Sequence, residues 1–109
     1  MSAETLRRAA SLMRERAEAA TPTEWDWCLT GPFFVVAEND PRGDEAFVAS
    51  VPSKADAAHI ASWQPAVAIA VADWLDLMAY ALNARLFLDD SAETHAALTV
   101  ARAYLGESA

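Results

Sequence analysis

The chain has 109 residues, with 16 acidic against 8 basic side chains and a net charge of −8. That length suits one domain with one core, and that charge argues against a phosphate-binding footprint and so against direct nucleic-acid binding. The single cysteine, Cys28, excludes an intrachain disulfide and a cysteine-based zinc cluster.

Twenty-six alanines bias the chain toward helix. Residues 1–20 carry four arginines against three glutamates, whereas residues 21–109 carry four basic against thirteen acidic groups. No apolar run follows the N-terminal arginines, so no signal-peptide core is expected and the protein reads as cytoplasmic. A first helix is predicted over 1–20, ending before Pro22, because proline disfavours helical geometry in the residue preceding it. Leu6, Ala10, Met13, Ala17 and Ala20 step by four and three along it. This seam either packs on its own domain or pairs two copies of the chain.

Thr21-Pro22-Thr23-Glu24 has the order of a capping box. A β-meander is then predicted over 25–51. Trp25, Trp27 and Leu29 alternate with smaller or polar residues, and Phe33 to Ala37 is aromatic and β-branched. Asn39 to Asp44 reads as a turn, after which Phe47, Ala49 and Val51 share one face of a last strand.

A helical part follows over 53–105. Ser53 with Asp56 three residues on is an N-cap signature, and Pro65 suits the first turn of a long helix running to about Ala84. That helix is apolar nearly all round, broken only by the line Asp73, Asp76, Tyr80, Asn83. It is expected to be the buried, central helix rather than a membrane span, because two aspartates sit near its middle. Asp89-Asp90-Ser91 caps a final helix ending at Gly106. The fold class expected is therefore α+β: an N-terminal helix, a small antiparallel hairpin or three-stranded meander, then three helices with a central apolar one.

Asp73 and Asp76, one turn apart, are the pair that most resembles a site, since two carboxylates at that spacing could hold a divalent cation or divide acid and base roles. A solvated stripe or an interaction surface explains them with fewer assumptions, and no metal is expected. His59 and His95 lie on different helices with too few nitrogen or sulfur ligands for zinc. Trp25 and Trp27, if they share a strand face, form an aromatic platform; with Trp63 they are candidate binding residues beside Asp73 and Asp76. No catalytic residue and no cofactor are expected.

Two stretches carry a resemblance: Ala20-Thr21-Pro22-Thr23-Glu24-Trp25 and the run from Ala57 through Trp63-Gln64-Pro65 to Val67. They resemble small accessory proteins of actinobacterial phages and prophages, similar in plan to the Ead-like phage proteins. The chain departs from that pattern at Thr23, where the pattern prefers glycine. The resemblance implies an accessory product acting on host or competitor systems, and it brings no catalytic residues with it. The expected function is a non-enzymatic interaction protein, homodimeric, engaging a bacterial host protein through an acidic surface that contains aromatic groups. A binder of a nucleotide-type signal is the alternative, and a metal-dependent hydrolase on Asp73 and Asp76 the third reading.

Overall fold

Alanine is the strongest helix former, and in the computed structural model helix outweighs every other element. The structure describes residues 2–20, 25–28, 33–37, 46–51, 53–87 and 89–107. Helices of 18, 9, 19 and 14 residues (α1 Ser2–Ala19, α2 Lys54–Ser62, α3 Pro65–Asn83, α4 Ala92–Leu105) stand against strands of 4, 5 and 6 (β1 Trp25–Cys28, β2 Phe33–Ala37, β3 Ala46–Val51). The expected α+β class, built on a hairpin or meander, is thereby corrected: the molecule is mostly helical. The alternating aromatic pattern yields three short strands, 15 residues against 60 in the helices. The capping-box turn at 21–24, Leu29 and the turn at 39–44 lie outside the described residues.

The described residues group into two compact units, one running to Glu15 and resuming at Ile69, the other Arg16–Ala68. In the first, α1, α3 and α4 share a core of Leu6, Ala9, Ala10, Met13, Ala72, Leu75, Met78, Ala79, Ala97, Leu98 and Ala101. Six of those eleven side chains are alanine, so the shared core is built largely of methyl groups. Leu6, Ala10 and Met13 of the N-terminal seam are thus buried within their own chain.

Both ends of α4 are closed by their own residues. The Ser91 hydroxyl accepts from the Thr94 N–H at 3.2 Å, and Gly106 takes the left-handed conformation (φ 74°) that glycine adopts without a Cβ penalty. Beyond it, the Glu107 N–H donates to the Arg102 carbonyl at 2.9 Å. The C-terminus of α3 uses the same device without glycine. Arg85 sits at φ 59°, and the Leu86 N–H donates back to the Ala81 carbonyl at 2.8 Å.

In the second unit the strand segments pair antiparallel in the order β1-β2-β3. Trp25 faces Ala37 and Cys28 faces Phe34, while Val48 is the extra residue opposite the Val35–Val36 step. Val35 is fully buried against Ala57 and Ala61 of α2, with Trp25, Val48, Ala49 and Ile60 packed around them. Ser53 caps α2 by accepting from the Asp56 N–H at 3.0 Å.

Candidate functional site

Helix α3 is apolar on nearly every side, yet α1 and α4 cover only one side of it in the first unit. Ala72, Leu75, Met78 and Ala79 point into that core. On the opposite side Ile69 is 37 % exposed, Trp74 38 %, Leu77 64 % and Tyr80 67 %. The helix expected to be buried is buried mainly on one face; on the other, Leu77 and Tyr80 are open to solvent, Ile69 and Trp74 are partly exposed, and Ala81 is buried. Among the described residues it is also the one helix long and apolar enough to cross a membrane, with a mean hydropathy of 1.5 and 33 % of that window buried.

Asp73, one turn from both Ile69 and Leu77, interrupts that exposed line, Asp76 borders it, and both aspartates are already engaged. Arg14 of α1 reaches across with both guanidinium nitrogens: Nη2 donates to Asp73 Oδ1 at 2.7 Å, and Nη1 donates to Asp76 Oδ2. The planar fork of arginine suits two acceptors one helical turn apart. Hydrogen bonding to Asp73, then to Asp76, holds the Arg14 pKa above its ordinary value. A raised folded-state value means this contribution is complete at every pH below the ordinary arginine range and is lost only above it. The arrangement clasps α1 to α3; it does not leave two free carboxylates for acid–base work or for a cation. Replacing Arg14 by alanine is expected to lower stability by about 1 kcal/mol at low salt, discounted for solvent screening. Chemical denaturation should show the difference shrinking at about 1 M salt; a salt-independent loss would mean that the guanidinium stem, not its charge, matters.

The aromatic candidates lie elsewhere. Trp25 is half-buried against the Val35 cluster, and its N–H donates to Gln64 Oε1 at 3.2 Å. Trp63, 39 % exposed, ends α2, where its N–H donates to the Ile60 carbonyl. The side chain of Trp27 lies outside the described residues. Of the five candidates, the structure thus joins Asp73 and Asp76, through Arg14. Among the described residues no group of three or more histidine, cysteine or acidic side chains is placed to hold a metal ion. A cavity of about 540 Å³ lies between Ser2 and Ala3 of α1 and the end of α3, lined also by Leu82, Arg85, Phe87 and Asp89. Its volume suits a small ligand, but its two charged groups are of opposite sign and do not converge on one chemistry.

Leu77 and Arg14 carry this surface, and sequence reasoning named neither as a site residue. A signal existed: a helix apolar all round needs neighbours on every side, and a chain this short has few to offer. No protein-family model, no curated protein and no solved structure matches the chain.

Proposed function

We propose that this is a non-enzymatic interaction protein of the cytoplasm that docks a protein partner on the outward face of α3. One observation carries the reading: Trp74, Leu77 and Tyr80 stand exposed together, beside carboxylates already held by Arg14. Exposed apolar patches bordered by polar groups mark association surfaces, and large aromatic side chains are the usual anchors. The net charge of −8 disfavours nucleic acid and anionic lipid and favours partners with basic surfaces. In the setting that the phage resemblance implies, such a partner is a bacterial host protein.

Capture from a bacterial lysate tests the docking face. Wild-type protein should retain a partner that Leu77→Asp loses and that Glu15→Ala, changed at an exposed α1 position, still holds. Equal capture by the wild type and the Leu77 variant would remove α3 as the docking face.

A further inference from the structure

We infer that the cavity between the start of α1 and the end of α3 binds a small zwitterion, a free amino acid with an apolar side chain, Arg85 taking its carboxylate and Asp89 its ammonium group. The residues involved are separate from the docking face proposed above, and all belong to the first unit.

Backbone strain marks Arg85. Helices α3 and α4 end in the same hydrogen-bonding motif. At α4 the Gly106 N–H donates to the Ala103 carbonyl at 3.2 Å and the Glu107 N–H to the Arg102 carbonyl at 2.9 Å. At α3 the Arg85 N–H donates to the Leu82 carbonyl at 3.1 Å and the Leu86 N–H to the Ala81 carbonyl at 2.8 Å. The left-handed position holds glycine in one motif (φ 74°) and arginine in the other (φ 59°). Glycine enters that conformation freely, whereas a Cβ crowds the following carbonyl oxygen. The arginine gives the fold nothing in return: its side chain is exposed and, among the described residues, forms no hydrogen bond or ion pair. A strained residue without a structural return points to a use for its side chain.

That side chain lines the cavity, whose volume of about 540 Å³ falls in the range of small-molecule sites. Asp89 lines it too, is likewise exposed, and has no side-chain partner among the described residues. The two opposite charges thus border one cavity without pairing with each other. A ligand of a single sign meets a repelling group there, whichever sign it carries. A ligand carrying both signs gains two charge-assisted contacts.

The apolar lining suits the rest of such a molecule. Ala3, Leu82 and Phe87 border the cavity and also pack on the core of the first unit, which holds that wall in place. A zwitterion has no net charge, so the protein's −8 does not repel it as it would a nucleotide-type anion. Because both charged side chains are exposed, their contacts are screened and the binding is weak.

Isothermal titration calorimetry of the full chain with L-phenylalanine and with L-leucine should give dissociation constants of about 0.1 to 1 mM. 3-Phenylpropionate lacks the ammonium group and phenethylamine lacks the carboxylate; each should bind at least tenfold more weakly than phenylalanine. Arg85→Gly separates binding from folding. It should raise the Tm of the unliganded protein by about 3 °C, by relieving the backbone, and weaken phenylalanine at least tenfold. Asp89→Asn should weaken phenylalanine while leaving 3-phenylpropionate bound as well or better.

No binding of either amino acid at about 10 mM overturns the inference. So does a ligand of one sign that binds as tightly as phenylalanine. An Arg85→Gly protein that fails to fold, or whose Tm stays or falls, overturns it equally, since the arginine would then be serving the fold.

Discussion

Replacing Leu75 by alanine is expected to lower stability by about 3 kcal/mol, while replacing Leu77, two residues further along the same helix, should change it by less than about 0.5 kcal/mol. Leu75 is fully buried in the core of the first unit, and Leu77 is 64 % exposed. Truncating Leu75 removes its transfer free energy and leaves a void. Its surroundings close that void poorly, because Ala72, Ala79, Ala97 and Ala101 have no side-chain torsions with which to move in. Losing Leu77 returns apolar surface that already faces water. Urea unfolding measures both. Equal losses at the two positions would mean that both faces of α3 are covered, and would remove the strip on which the docking face depends.

The helical elements were legible because their signals are local. Pro65 at the start of α3, Ser91 and Gly106 at the two ends of α4, and Ser53 before α2 each act within one turn of chain. The fold class was not legible, because it depends on how much of the molecule each pattern organises. Alternation at Trp25-Asp26-Trp27 looks the same whether a strand belongs to a large layer or to a few paired residues. Arg85 at the end of α3 escaped because a left-handed arginine has no sequence marker comparable to glycine.

The candidate site divides along the same line. Asp73 and Asp76 stood out as a pair by spacing, but their meaning depended on Arg14, some sixty positions away in sequence, and no local rule places an α1 arginine between them. Asp73, Asp76 and Tyr80 were read as one narrow polar stripe on a buried helix. Tyr80 stands 67 % exposed, as a solvated stripe requires, but Leu77 beside it is 64 % exposed as well, so the outward face is broader than the stripe. Periodicity shows which residues share a face; it does not show whether another element covers that face.

Enlarging a core alanine should cost nearly as much as hollowing out a core leucine. Ala72→Leu is expected to lower stability by about 2 kcal/mol, and Ala96→Leu, at an exposed position of α4, to change it by less than about 0.5 kcal/mol. Ala72 has no exposed surface and lies in a core with Ala9, Ala10, Ala97 and Ala101, where α1, α3 and α4 meet. A leucine there carries three further carbon atoms into space that alanine methyl groups already fill. The helices must separate or the new side chain must leave its preferred rotamer. Separation also strains the Arg14 clasp, whose 2.7 Å hydrogen bond to Asp73 begins one residue further along α3. Thermal unfolding of the two alanine variants side by side decides the matter. If Ala72→Leu proves neutral or stabilising, the helices have slack between them, and the composition of 26 alanines reflects helix propensity alone rather than close packing.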